Sequence, residues 1–209
     1  MIGTEGEARA YVAQKCDPAA MARLDRLVAA LAEENERQNL VAKNSLPQVW
    51  LRHIADSAQL LEHAEAGDAP WLDLGSGAGF PGLVIAAMRP QAPVILVESR
   101  RRRIEWMERM IAELGLSGCR VEGRRLELVE TFAAGVISAR AFAPLERLLR
   151  LSARFSTSDT RWVLPKGRSA AQEVAELPES RRAMFHVEQS LTDAEAGIIT
   201  GCGKWKGAK

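Results

Sequence analysis

Residues 71–82 read Trp71-Leu72-Asp73-Leu74-Gly75-Ser76-Gly77-Ala78-Gly79-Phe80-Pro81-Gly82. A short apolar run ends in Asp73, three glycines alternate, and Pro81 stands where a helix would begin. Alternating glycines let the backbone turn tightly and approach a ligand with no Cβ in the way. Proline costs little in a first helical turn, whose N–H has no intrahelical partner. The segment therefore reads as a strand–loop–helix with the helix N-terminus facing a bound ligand. Nineteen residues beyond Gly79, the run Val94-Ile95-Leu96-Val97 ends in Glu98, a carboxylate placed to take two ribose hydroxyls. A nucleoside cofactor is expected here.

Two such cofactors compete. Counted from Gly77, the stretch fits Gly-x-Gly-x-x-Gly (Gly77, Gly79, Gly82), as in dinucleotide-binding dehydrogenases. Asp73 argues against that reading. Its carboxylate is expected to point at the loop, where it would repel a pyrophosphate but attract the ammonium and sulfonium of S-adenosylmethionine. Asp73, Gly75, Gly77, Gly79 and Glu98 are thus expected around S-adenosylmethionine, with a dehydrogenase as the rival.

The bulk numbers fit one domain plus an appendage. With 47% apolar residues in 209, a sizeable core is available and disorder is not the default. No stretch approaches the roughly 20 apolar residues that span a bilayer, and the first residues lack the order of a signal peptide. Cys16, Cys119 and Cys202 are too scattered for disulfides, and with His53, His63 and His186 they form no metal-ligand spacing. A cytoplasmic protein with reduced cysteines and no metal is expected. Net charge is +1 overall, but −4 over residues 1–70 and +7 between Arg100 and Arg168. That asymmetry points to a polyanionic partner on one face.

The N-terminal part reads as helical. Asp17-Pro18 is a helix start, followed by Met21, Leu24, Leu27, Val28 and Leu31 at helical spacing. Ser45 to Gln48 fits a capping box before a second helix with Trp50, Ile54, Ala58 and Leu61 on one face, and residues 67–70 close the segment. From Trp71 onward strands and helices alternate: strands at 71–73, 94–98, around 121, 136–138 and 162–164, then a short helix at 170–177 and strands at 184–189 and 197–200. Such alternation predicts an α/β fold of the Rossmann-like class I methyltransferase type, a mostly parallel seven-stranded sheet with helices on both faces. The boundary is expected between a helical segment, 1–68, and a methyltransferase domain, 69–209. Ligands of such sheets bind beyond the carboxyl ends of the strands, which groups Asp73, Glu98, Arg140 and Lys166 on one rim.

The turn after the fourth strand, Ser138-Ala139-Arg140-Ala141-Phe142-Ala143-Pro144, bears on the methyl acceptor. It lacks the Asn/Asp-Pro-Pro-aromatic turn suited to exocyclic amines. No cysteine nucleophile lies near the rim for carbon methylation of pyrimidines, and strand four offers no carboxylate to pair with Lys166 for ribose methylation. What remains is an acceptor already nucleophilic, such as guanine N7, which loses no proton on attack. Arg140 is then expected at O6 or a neighbouring phosphate and Phe142 stacked on the base. Arg100 to Arg103 open a helix against its dipole, which suggests RNA-phosphate contacts. Arg52, His53 and Asp56 fall at i, i+1 and i+4, either catalytic or supplying an Asp–Arg pair that pins this helix to the sheet.

Taken together, Asn39-Leu40, Arg52-His53-Ile54-Ala55-Asp56-Ser57, the run from Leu72 to Gly82, Arg125-Leu126-Glu127, Ser138 to Ala143 and Lys166-Gly167 resemble the small-subunit rRNA guanine-N7 methyltransferases (RsmG, also called GidB). The resemblance covers roughly residues 37–170. It implies a bacterial cytosolic enzyme that methylates one guanine in the decoding-region loop of 16S rRNA, as naked RNA or within the small ribosomal subunit. It further implies a cofactor pocket at Gly75, Gly77, Phe80, Glu98, Leu126, Glu127 and Arg140, with Leu126 and Glu127 flanking the adenine and Arg140 nearest the transferred methyl. Arg52, His53, Arg100, Arg101, Arg125, Phe142 and Lys166 are the expected substrate contacts. The chain departs from the family at Glu34 and Val41, where tryptophan and threonine are usual, and at Gly197, where an arginine is usual. The absence of heptads favours a monomer.

Overall fold

The computed structural model describes residues 1–64 and 69–206. The expected boundary at 68/69 and the last three residues of the tail fall at or beyond the limits of the described residues.

The chain opens with a helix that the periodicity did not reveal, α1 (Glu5–Ala13), because only Ala8 and Val12 are buried along it. Its start is nonetheless written in the sequence. Thr4 accepts from the Glu7 amide, and Glu7 reaches back to the Thr4 amide, a reciprocal capping box. α2 (Pro18–Asn35) begins as expected, with the Asp17 carboxylate accepting from Ala20 N at 2.6 Å, and buries Leu24, Leu27 and Leu31.

The second expected helix is irregular. A 3₁₀ stretch over Lys43–Gln48 passes into a π-turn over Trp50–Ala55, then α3 (Asp56–Ala58) and a 3₁₀ turn over Gln59–His63. Ser45 makes no cap there; its hydroxyl donates to the Ala42 carbonyl and meets His53 Nε2. The π-turn is anchored from α1 instead. Glu5 accepts from Trp50 N at 3.0 Å and Leu51 N at 2.7 Å. π-turns concentrate at functional sites, and this one carries Arg52 and His53.

The sheet contains β1 (Trp71–Leu74), β2 (Val94–Val97), β3 (Cys119–Glu122), β4 (Val136–Ala139), β5 (Arg161–Lys166), β6 (Phe185–Gln189) and β7 (Gly197–Cys202). Between them lie α4 (Gly82–Met88), α5 (Arg101–Glu113), α6 (Leu145–Ser152), α7 (Ala170–Ala175) and α8 (Glu179–Arg182). The strand order is β3-β2-β1-β4-β5-β7-β6, and only the pairings of β7 with β5 and β6 are antiparallel. This is the α/β architecture the alternation predicts.

Side chains along β2 alternate between two cores. Val94 and Leu96 join the residues of α2, α4 and α5 on one face, and Ile95 and Val97 join α6, Phe155 and Trp162 on the other. Both faces are covered, as a parallel sheet requires. Register then builds the rim. Leu74 lies opposite both Val97 and Ala139, so the next residue of each strand, Gly75, Glu98 and Arg140, leaves the sheet side by side.

Candidate active site

The glycine loop keeps its turn through left-handed backbone at Gly75 (φ 64°), Gly77 (φ 60°) and Gly79 (φ 99°). Their surroundings differ. A Cβ on Gly79 would meet Leu83 at 2.3 Å, and one on Gly82 would meet Leu96 at 2.1 Å and Asp73 Oδ2 at 2.9 Å. Those two glycines serve close helix–sheet packing. A Cβ on Gly75 would meet the Phe142 ring at 2.5 Å, and one on Gly77 the Arg103 guanidinium at 3.3 Å. Gly75 and Gly77 are thus the loop positions covered by single side chains rather than by the sheet or α4, Phe142 over one and Arg103 over the other.

The expected cofactor contacts sit in different surroundings. Asp73 does not face the loop interior. It is fully buried, with Oδ1 accepting from Ser138 Oγ at 2.8 Å and Oδ2 from Gly82 N at 3.1 Å. Burial pushes its carboxyl above the usual range, and its work is to tie β1 to β4 and to the start of α4. Phe80 is likewise buried, with the His53 ring stacked on it at 5.1 Å and the Arg140 guanidinium over it at 5.2 Å. Glu98 stands at the rim but accepts from Gly77 N, Ser99 N and Arg100 N at 3.1, 2.7 and 2.9 Å. A carboxylate has about four lone-pair sites, so room remains for one hydroxyl rather than two. Leu126 is buried in the core under α6, while Glu127 and Arg125 are exposed.

On the other side of Phe142 opens a cleft of about 1060 Å³, walled by the 40–56 segment and the turns at 140–144, 165–169 and 190–198. Arg52, His53, Arg140, Phe142 and Lys166, all expected at the substrate, line it together. Arg100 and Arg101 do not; they are exposed at the start of α5, Arg101 paired with Glu105. Lys166 is already held within the protein. Its ammonium donates to Ala143 O and Glu173 Oε2, both at 2.8 Å.

Arg140 is held from behind. It pairs with Asp56 at 3.5 Å and donates to Arg52 O at 3.3 Å and His53 Nδ1 at 3.2 Å. An Asp–Arg pair does pin this segment to the sheet, but its arginine comes from β4, while Arg52 pairs with Asp193 at 3.2 Å. A guanidinium can only donate. His53 Nδ1 must therefore accept, its proton sits on Nε2, and Nε2–H donates to Ser45 Oγ at 2.8 Å. Ser45 in turn donates to Ala42 O. Burial, with Arg140 and Arg52 adding, pulls the His53 pKa down to about 3. Burial raises the Asp56 carboxyl, against the pull of Arg140 and the Thr192 hydroxyl.

The sequence reading missed the partners that seat these groups: Ser45, Ser138, Glu173, Thr192 and Asp193. Among the described residues no group of His, Cys, Asp and Glu could hold a metal, and no helix is long and apolar enough to cross a membrane.

A pH dependence follows. Below pH 6.5 the unfolded chain binds a proton at His53 that the folded protein refuses. Stability is therefore lost as pH falls from 6.5 toward about 3, by about 1.4 kcal/mol per unit from this group. Urea unfolding of wild type and His53→Gln should show a stability difference that changes with that slope between pH 6 and 4. A difference flat with pH would mean that His53 titrates alike in both states.

The sheet order and rim define the class. Solved structures of the same fold include a SAM dependent methyltransferase from Aquifex aeolicus (TM-score 0.56, 13% identity, 75% of this chain and 92% of that one). A ribosomal protein L11 methylase from Lactobacillus delbrueckii subsp. bulgaricus is another (TM-score 0.55, 14% identity, 71% and 77%). The fold is that of class I methyltransferases. Within it, residues 20–198 match the family GidB, described as rRNA small subunit methyltransferase G, and the chain belongs to that family. It is 64% identical to "Ribosomal RNA small subunit methyltransferase G" of Erythrobacter litoralis, over 99% of this chain and all of that one. It is 58% identical to the protein of the same name from Novosphingobium aromaticivorans, over 95% and 88%.

Proposed function

We propose that this protein transfers a methyl group from S-adenosylmethionine to N7 of one guanine of 16S rRNA, in the decoding-region loop. The observation that carries the choice of atom is that, among the described residues, every candidate general base lining the cleft is already engaged. His53 has its one lone pair on Arg140, Asp56 is tied to Arg140 and Thr192, Asp193 to Arg52 and the Glu195 amide, and Glu173 holds Lys166, Ser169 and the Leu145 amide. An acceptor that must lose a proton is poorly served there. Guanine N7 already carries a lone pair and loses none.

The glycine cradle fits S-adenosylmethionine, because Gly75 and Gly77 leave the loop without side chains beside the Glu98 carboxylate. Bound there, the cofactor would supply an electrophilic methyl on a sulfonium. Gly75 and Gly77 would hold it, with Glu98 on a ribose hydroxyl; Asp73, Gly79 and Phe80 position these groups from the core. Arg140, at the junction of loop and cleft, donates to guanine O6, which orients the base, or to an adjacent phosphate, whose negative charge needs a partner. Phe142, against Gly75 on one side and the cleft on the other, stacks on the base and sets its distance from the cofactor. Arg52 lines the cleft mouth, and Arg100, Arg101 and Arg125 are exposed for more distant phosphates.

The test uses purified protein, methyl-labelled S-adenosylmethionine and small ribosomal subunits lacking the modification, followed by chemical cleavage at N7-methylguanine. One new cleavage in the decoding-region loop is the expected result. Label on another atom or another RNA overturns the assignment of the acceptor, and absence of label overturns the activity.

A further inference from the structure

The cleft is far larger than a single base requires, yet nearly all of its polar surface is already engaged. Arg52 is on Asp193, Arg140 on Asp56 and His53, and Lys166 on Glu173. Ser45 is on His53 and Ala42, and Ser169 is on Glu173. Ser190 and Thr192 bond each other and share Gln59 and Asp56. Among the described residues that line the cleft, two polar side chains have no partner within the protein: Asn44 and Gln48, both exposed on the 3₁₀ stretch Lys43–Gln48.

This leaves a specific chemistry for recognition. Charged pairs that satisfy each other offer an incoming neutral base little that water did not. A carboxamide offers an acceptor and two donors on one planar group, the complement of an edge that carries both. Guanine has such an edge, with N1–H and the N2 amine as donors beside the O6 acceptor. That edge is inaccessible in a stacked helix, but a base splayed into a cleft exposes it. Resting on the reading of guanine as the acceptor, we infer that Asn44 and Gln48 are the specificity-determining residues, their amides reading the N1–N2–O6 edge while N7 stays open to the methyl donor. Arg140 then contributes charge and alignment, and discrimination among bases comes from the 3₁₀ stretch.

Inosine, which lacks only the N2 amine, makes the inference testable. Small subunits are reconstituted with 16S rRNA carrying guanosine or inosine at the target, and kcat/KM is measured for wild type, Asn44→Ala, Gln48→Leu and the double variant. Wild type should methylate the guanosine substrate about tenfold faster than the inosine one, the order of a good base-edge contact. In the double variant that ratio should fall to about one, with guanosine turnover lowered about tenfold or more and the melting temperature unchanged, since both side chains lack internal partners. A tenfold ratio that persists in the double variant overturns the inference, as does a wild-type ratio of one. Failure of wild type to methylate guanosine substrate at all removes the reading beneath it, and this one with it.

Discussion

Replacing Arg140 with lysine is expected to lower kcat about 100-fold while the protein stays folded. The magnitude is that of misplacing a bound reactant by about an ångström, since methylation of N7 develops no negative charge for a donor to stabilise. Lysine keeps a positive charge near Asp56. It loses the planar guanidinium, one nitrogen of which now contacts His53, the Arg52 carbonyl and Asp56, and the flat face over Phe80. Alanine is the poorer probe. It leaves Asp56 without a cation in a mostly buried position, at a cost of about 3 kcal/mol, so lost activity would mix with lost stability. Steady-state methylation of small subunits, alongside thermal melting and calorimetric cofactor titration, separates the two. Turnover of the lysine variant within threefold of wild type would remove Arg140 from the reaction.

The second large effect lies in the core. Gly82→Ala is expected to destabilise the protein by about 2–3 kcal/mol, the range for an overpacked interior. Its new methyl would lie 2.1 Å from Leu96 and 2.9 Å from the Asp73 carboxylate, and Leu96 is fully buried with nowhere to swing. Denaturant unfolding gives the loss directly, and Leu96→Ala should cost less in the Gly82→Ala background than alone, because the new methyl takes up part of the space it opens. Cofactor affinity of the folded fraction should change little, because Gly82 faces the sheet. If affinity falls while stability holds, Gly82 belongs to the ligand surface after all.

The contrast between these two residues shows what the sequence could reveal. Strand–loop–helix order, sheet class and the rim positions of Glu98 and Arg140 were legible because they follow from period and from strand ends. The direction of Asp73 was not. A carboxylate before a glycine loop looks the same whether it faces a ligand or crosses to the next strand, and only the pairing of Asp73 with Ser138 in register decides it. The same holds for Lys166, whose partner Glu173 is seven residues on but across a turn. α1 escaped notice because two buried residues make too short a stripe, although Thr4 and Glu7 announced its start. Asn44 and Gln48 carried no signal at all. Their distinction is that everything around them is engaged, which only the folded cleft reveals.

The place of β7 between β5 and β6 governs which parts of the site depend on which part of the sheet. Among the described strands β6 pairs only with β7, so the two form a hairpin around the turn at 190–196 that meets the parallel strands at β5. The glycine loop and Glu98, at the ends of β1 and β2, draw no hydrogen bond from that hairpin. The seat of Arg140 does, because Thr192 and Asp193 arrive with it to hold Asp56 and Arg52. One strand order thus divides the site in two: the glycine cradle is built by parallel strands at the middle of the sheet, and the seat of Arg140 depends also on the hairpin at its edge.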